Sequence, residues 1–250
     1  MTAATTTIPS VRRARLAAAP AAPLLTWYDL ATGERVELSA TTFDGWVAKT
    51  AGLVRDVVGL QHGDVVAIDL PPHWLAPVWL AACAELGLAT WPGGQPRAAD
   101  LAVCGPEGIE AALAAPDVMA VSLLPLAMPF AAPLPPGADD YCLEVRSAPD
   151  RFSPSWPVSS DDVLLRLPDG DLTHAGALAA ARGLAESHRL GDAARLLVDD
   201  RDDDAQRWLL GLVVPLLLGG SVVLVTGGGD DDRVARIAAE EGAVRLRPSA

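Results

Sequence analysis

From residue 174 onward the apolar residues fall into a regular alternation of helical and extended segments, and this order constrains the fold more than any other feature. Helical spacing covers 174–188, 203–218 and 230–241, and short apolar runs cover 195–198, 221–225 and 243–247. Runs such as Ser221-Val-Val-Leu-Val225 lack the polar alternation of a one-sided sheet, so they read as strands buried on both faces. Strands separated by helix-length segments are joined by crossovers and lie parallel. The fold class is therefore α/β, and no repeat at a fixed period replaces that reading.

The upstream half carries the same two periods less regularly. After a Ser39 or Thr cap, Phe43, Trp46, Val47, Ala51, Val54 and Val58 recur at helical spacing over 43–58, with Lys49 off the stripe. Leu60-Gln-His-Gly-Asp64 is a polar turn, and 65–70 reads as a buried strand. Pro71-Pro72 opens a helix over 73–86 that is apolar almost all round and stops at Gly87. Strands are predicted over 88–91, 101–104, 118–124, 141–146 and 163–167, with a helix over 108–115. Five prolines between 125 and 136 mark an irregular linker.

Composition narrows the function classes. In 250 residues, half are apolar, a fifth are charged and the mean hydropathy is +0.26, which excludes a disordered chain. Nineteen basic against 32 acidic residues give a net charge of −13, a sign that repels nucleic acid and anionic lipid. The longest uncharged run, 208–229, contains Pro215, Gly219 and Gly220 and reads as helix, turn and strand rather than a membrane span. Arg12, Arg13 and Arg15 before AAAPAAPLL look like a leader, but Pro20 and Pro23 break it, so 1–25 is expected to be a disordered tail. Cys83, Cys104 and Cys142 have neither metal-ligand nor redox spacing and suit free thiols in the cytoplasm.

Motifs for catalysis and cofactor binding are missing. Neither GxxxxGK[ST] nor GxGxxG occurs. Val225-Thr-Gly-Gly-Gly229 sits between strand and helix, but Asp230, Asp231 and Asp232 fill the first helical turn and repel phosphate, so a flexible acidic-capped turn is the better reading. The run DDRDDD over 199–204 lacks the glycine and distal glutamate of a calcium loop and reads as a solvated helix start. His62, His73, His174 and His188 form no metal pattern and are assigned to caps or the surface. No serine elbow or cysteine-protease signature is present. The seven tryptophans lie in apolar segments and are assigned to packing. The sequence thus assigns no catalytic, cofactor-binding or metal residue.

Taken in order, Thr26-Trp-Tyr-Asp-Leu30, the capped helix, Gly63-Asp-Val-Val-Ala-Ile-Asp-Leu-Pro-Pro72 and His73-Trp-Leu-Ala-Pro-Val-Trp-Leu-Ala-Ala-Cys-Ala-Glu-Leu-Gly87 resemble the opening of adenylate-forming enzymes, the AMP-binding superfamily of acyl-CoA synthetases, luciferases and adenylation domains. Leu172-Thr-His174 resembles the segment after that family's phosphate loop, and 208–225 resembles its next helix and strand. The resemblance runs over about 26–248, and the Ala/Arg-rich composition suits an uncharacterised actinobacterial branch. It implies two intertwined α/β lobes like the first half of the family's N-terminal domain. A sheet lobe is expected over about 65–190, and a second lobe from about 26–60 plus 193–247, with the helix over 43–58 packed on the latter.

The departures from the family pattern decide the functional expectation. Where the family has a Ser/Thr/Gly-rich loop ending in Pro-Lys-Gly, 163–167 runs through Pro168-Asp-Gly-Asp171 directly into Leu172. That tight turn brings two carboxylates and no lysine or hydroxyl cluster. Lys49 is the single lysine, and Arg166 is the only cation near the turn. Ala250 precedes the family's adenine and ribose motifs and its mobile C-terminal domain with a second lysine. The resemblance therefore implies a degenerate, truncated member without enzymatic activity or cofactor, acting in binding, regulation or assembly. A homodimer or protein partner is expected on the surface that the missing half would cover, and the small-molecule ligand is unknown. The alternative is an acyl-adenylate-forming enzyme or ligase half completed by a separate partner chain.

Overall fold

The computed structural model describes residues 7–200 and 204–246. Along the chain the elements are α1 (Ile8–Ala18), β1 (Pro23–Asp29), β2 (Arg35–Ser39), α2 (Ala40–Leu53), β3 (Val65–Asp69), α3 (Leu75–Leu86), β4 (Ala89–Pro92), β5 (Leu101–Cys104), α4 (Ile109–Ala112), β6 (Asp117–Ala120), β7 (Asp139–Asp140), α5 (Tyr141–Glu144), β8 (Val163–Leu165) and β9 (Leu172–Thr173). They continue with α6 (His174–Ser187), β10 (Arg195–Asp199), α7 (Asp204–Trp208), α8 (Val214–Leu218), β11 (Ser221–Thr226), α9 (Asp231–Glu240) and β12 (Val244–Arg245). The chain is α/β, and it divides into two compact units. Unit 1 holds the described parts of Met1–Asp44, Pro72–Pro77 and His174–Ala250, and unit 2 holds Gly45–Pro71 and Val78–Thr173.

Unit 1 is built on a five-stranded sheet in the order β12-β10-β11-β1-β2. All its pairs are parallel except β1 with β2, whose short Asp29–Glu34 connection allows an antiparallel hairpin. β11 lies between two parallel neighbours and is buried from Ser221 to Val225, as its unbroken apolar run requires. Leu30, Leu197, Val223, Val225, Val234 and Ile237 form one core cluster, through which α9 lies on the sheet. Asp230 caps α9 by accepting the Arg233 N–H at 2.7 Å, and Asp231 and Asp232 occupy its positive first turn.

Unit 2 holds a seven-stranded sheet in the order β7-β6-β5-β3-β4-β8-β9, parallel except for the β8–β9 pair. Ile68 pairs with Pro92 on one side and Val103 on the other, so β3 is the middle strand of its unit's earliest crossover connections. The α3 residues of this unit are nearly all buried, which explains why that helix shows no polar face. Trp79 and Tyr141, both fully buried, meet with ring centroids 4.9 Å apart.

Several expectations are corrected. The segment 1–25 is not a disordered tail over its described part. Thr7 and Ser10 form a capping box, Pro9 opens α1, and Ile8, Arg12 and Arg15 are buried. Residues 1–6 lie outside the described residues. The predicted strand over 141–146 is a helical turn, because Asp140 caps it by accepting the Leu143 N–H at 3.2 Å and Tyr141, Cys142 and Val145 share its buried side. The strand expected over 118–124 ends at Ala120, and the backbone turns left-handed at Leu123. The helix over 203–218 has a widened turn at Leu209–Val213, where Pro215 has no N–H to bond one turn back. The helix at 174–187 belongs to unit 1 rather than to a lobe spanning 65–190, and residues 45–60 belong to unit 2. β1 and β2 are strands that the sequence pattern left unassigned.

Candidate functional site

The segment that the family resemblance singles out, 166–171, lies in unit 2 on the β8–β9 hairpin. Val163 and Leu165 of β8 pair antiparallel with Thr173 and Leu172. The Gly170 N–H donates to the Leu167 carbonyl at 3.0 Å and closes a four-residue turn with Pro168 at its second position. Gly170 has φ +127°, a conformation that a side chain resists. Asp169, Gly170 and Asp171 are exposed. The local chemistry of Pro-Asp-Gly therefore produces the turn that its sequence predicts.

This geometry offers little to a triphosphate. One turn amide is already spent on Leu167, and the turn adds two carboxylates. A like charge about 4 Å from a phosphate oxygen costs about 1 kcal/mol in bulk water and about 4 kcal/mol at an effective dielectric of 20. The Arg166 backbone N–H joins β8 to β4 by donating to the Thr90 carbonyl at 2.8 Å. Its guanidinium Nε is buried with no hydrogen-bond partner among the described residues. Lys49 is half-buried on α2 in the same unit.

No thiol in the structure is activated. Cys83, Cys104 and Cys142 are unpaired and buried. Burial pushes Cys83 up to about 12 against the opposing Thr90 hydrogen bond, and pushes Cys104 up to about 11 with the Asp69 charge adding to it. Each is a thiol rather than a thiolate at neutral pH. Among the described residues, no group of three or more His, Cys, Asp or Glu side chains is placed to hold a metal ion. Among the same residues, no helix is long and apolar enough to cross a membrane.

One histidine and the acidic run need correction. His62 is exposed and pairs with Asp162 at 2.9 Å, but His174 is fully buried, and its Nδ1 accepts the Ile8 N–H at 3.2 Å. His73 is buried as well. It caps α3 by accepting the Leu75 N–H on Nδ1 at 3.2 Å, and its ring meets Trp27 edge-on at 4.5 Å. Asp199 is not a solvated helix start, because it is buried at the end of β10 and paired with Arg245 at 2.9 Å. Residues 201–203 of that run lie outside the described residues. Gly228 of the glycine triplet gives its N–H to Asp200 at 3.2 Å, so this turn is braced by a carboxylate.

His73 carries a pH prediction. Desolvation lowers its pKa from 6.5 to about 3, despite the opposing charge of Asp29. The native state therefore binds fewer protons than the unfolded state between those values. Its contribution to stability is complete above pH 6.5 and is lost as the pH falls toward 3, with a slope of up to about 1.4 kcal/mol per pH unit. Urea unfolding between pH 4 and 7 is expected to show this slope, and His73→Gln to flatten it. An unchanged slope in the variant would assign the effect elsewhere.

One polar cluster has no sequence signal at all. In unit 1, Glu241 accepts from Tyr28 and Arg195 and lies 3.1 Å from Arg35, whose Nε donates to the Tyr28 hydroxyl at 2.9 Å. Burial pushes the Glu241 carboxyl up, but these three donors outweigh it and hold it below its ordinary range. The network ties the residue after α9 to β1, β2 and β10. Its members are up to 213 positions apart, so no spacing reveals them.

Comparison with known proteins places these features. No family model matches the chain. Over 200 residues it is 35% identical to the TIGR03089 family protein of Mycobacterium tuberculosis, covering 76% of this chain and 79% of that one. Solved structures with a similar fold include an acyl-CoA synthetase of Brucella canis, with TM-score 0.77 and 19% identity over 96% of this chain and 47% of that one. They also include the N-terminal domain of FACL13 from Mycobacterium tuberculosis, with TM-score 0.72 and 16% identity over 95% of this chain and 61% of that one. Acetoacetyl-CoA synthetase from Streptomyces lividans matches at TM-score 0.75 and 20% identity over 96% of this chain and 42% of that one. At these identities the likeness shows the fold, and the chain spans between 42% and 61% of the solved chains.

Proposed function

The chain belongs to the TIGR03089 family, and from that membership together with its hairpin geometry we propose that it is a non-catalytic relative of the AMP-binding acyl-CoA synthetases with a binding, regulatory or assembly role. The observation that carries this reading is the closed Leu167–Gly170 turn with Asp169 and Asp171 exposed beside it. A shared fold does not transfer an activity whose site residues are replaced. Catalysis of adenylation depends on donors aimed at phosphate oxygens, and this turn presents acceptors. For assembly, the exposed side chains of Leu124, Leu126, Met128 and Leu143 in unit 2 provide apolar surface for a second copy or a protein partner. We place the protein in the cytoplasm on its three unpaired thiols.

ATP–pyrophosphate exchange across a panel of aliphatic and aromatic carboxylic acids tests the reading. Exchange is expected to stay at the enzyme-free background with every acid. Turnover with any acid, abolished by Arg166→Ala, would overturn it. That outcome would favour a second reading, in which the chain is the acyl-adenylate-forming or ligase half of an enzyme completed by a partner chain. The buried Nε of Arg166, which has no hydrogen-bond partner among the described residues, is the feature that favours this second reading.

A further inference from the structure

In unit 2 the order of the sheet reverses at β3. The chain passes from β3 through α3 to β4 on one side, and then crosses to β5 on the other. Open parallel sheets bind ligands outside the carboxyl ends of their strands at such a reversal. The crossover here is unusually short. Only residues 93–100 separate β4 from β5, with a single 3-10 turn at Pro96–Ala98, whereas parallel strands ordinarily need a dozen or more residues and a helix. In place of a helix, this glycine- and proline-bearing segment runs past β3 from its carboxyl end, where the Gly93 N–H donates to the Ile68 carbonyl at 2.9 Å, to its amino end, where the Asp100 N–H donates to the Val65 carbonyl at 2.9 Å.

A cleft of about 170 Å³ opens beneath this crossover. Ala67 of β3 and Ala102 of β5 line it, Gly93 and Gly94 wall it, and the exposed Ala111 of α4 stands at its rim. Asp69, the last residue of β3, is the sole charged side chain in the lining. It is exposed, and no hydrogen bond to its carboxylate is made by the described residues. Gly108 keeps the space beside it clear, since a Cβ there would lie 3.3 Å from Asp69 Oδ2 and 3.1 Å from Cys104 Cβ.

The hydrogen-bond accounting sets the sign of the ligand. The N–H groups of Gly93, Gly94, Gly105 and Gly108 donate to the carbonyls of Ile68, Trp91, Asp69 and Gly105, at 2.9, 3.1, 3.2 and 3.1 Å. These glycines leave no amide to cradle an anion, and the carboxylate repels one. Short alanine walls with one carboxylate instead suit a cation on a short apolar body. At about 30 Å³ per water-sized unit, the volume admits a chain of a few carbons. We propose that this cleft binds a small alkylammonium compound, with its ammonium group on the Asp69 carboxylate and its alkyl chain against Ala67 and Ala102. This site is separate in sequence and chemistry from the β8–β9 turn and does not rest on the non-catalytic reading.

Saturation-transfer NMR on the full chain tests the site, with n-butylammonium as the probe and 1-butanol and butyrate as size-matched controls. Butylammonium is expected to bind saturably, with a Kd on the order of 1 mM, and neither control to do so. Asp69→Asn keeps the shape of an exposed side chain and is expected to weaken binding at least about tenfold, as loss of a charge-assisted contact implies. Ala111→Leu, at the exposed rim, is expected to weaken it by narrowing the mouth. Equal binding of butanol, unchanged binding in Asp69→Asn, or no saturable butylammonium signal would each overturn the proposal.

Discussion

Trp79→Ala is expected to lower the unfolding free energy of the protein by about 3–5 kcal/mol, the range for emptying a large aromatic site in a packed core. Trp79 lies on α3 with no exposed surface, its ring against that of Tyr141. The Tyr141 hydroxyl in turn meets the Thr50 hydroxyl at 2.7 Å, so in unit 2 one aromatic pair joins α2, α3 and α5. Removing the indole leaves a cavity that three helices cannot close together. Set against a typical stability of about 5–15 kcal/mol, the loss is a large share of the whole. Trp79→Phe separates volume from polarity, because the Trp79 Nε1 is buried with no hydrogen-bond partner among the described residues. Phenylalanine gives up some volume but removes an orphaned donor that costs about 1–3 kcal/mol, so its net loss is expected to be well below that of alanine. Urea titration should show the midpoint fall with an unchanged m-value. A loss of less than about 1 kcal/mol for Trp79→Ala would mean that this pair does not join the helices as described.

Arg15→Ala is expected to cost about 1–3 kcal/mol by a different mechanism, the loss of the donor to buried carbonyl acceptors. Arg15 is only 5% exposed, and its guanidinium donates to three carbonyls: Gly220 at 3.1 Å, Ala19 at 2.9 Å and Pro23 at 3.1 Å. Burial lowers its pKa from 12.5, but the fork remains charged at neutral pH. Truncation would strand the buried Gly220 carbonyl before β11 and remove a donor from the less buried carbonyls of Ala19, just after α1, and Pro23, the first residue of β1. Arg15→Lys is expected to recover less than half, since one ammonium lacks the planar fork that reaches all three. The position of Gly220 is equally constrained, because a Cβ there would come 1.9 Å from the Ala194 carbonyl oxygen. Thermal unfolding of the two Arg15 variants checks the ordering. Equal stability of Arg15→Ala and the parent would show that α1 is not held by this residue.

These residues show what a sequence can and cannot convey. The alternation beyond residue 174 was legible, because β10 and β11 are apolar runs long enough to carry their own signal and helical spacing separates them. The Pro168–Asp171 turn was legible for a related reason: its closing hydrogen bond spans only three residues, so local chemistry decides it. α1 was not. Arg12 and Arg15 look like solvated charges until the carbonyls at 19, 23 and 220 and the carboxylate of Asp44 are brought to them. β1 was missed because its parallel partner β11 lies almost two hundred residues away, and α5 because four residues are too few to display a helical period. The Asp69 cleft gathers residues from β3, β5, α4 and the loop after β4, and no segment of it is distinctive alone.

A β8–β9 turn that presents carboxylates rather than donors holds no nucleoside triphosphate, and calorimetric titration of Mg·ATP into the full chain measures this. No saturable heat is expected up to a concentration of about 5 mM, the regime where binding free energy falls to a few kcal/mol. Saturable binding with a Kd below about 0.1 mM, weakened by Arg166→Ala and strengthened by Asp169→Asn, would contradict it.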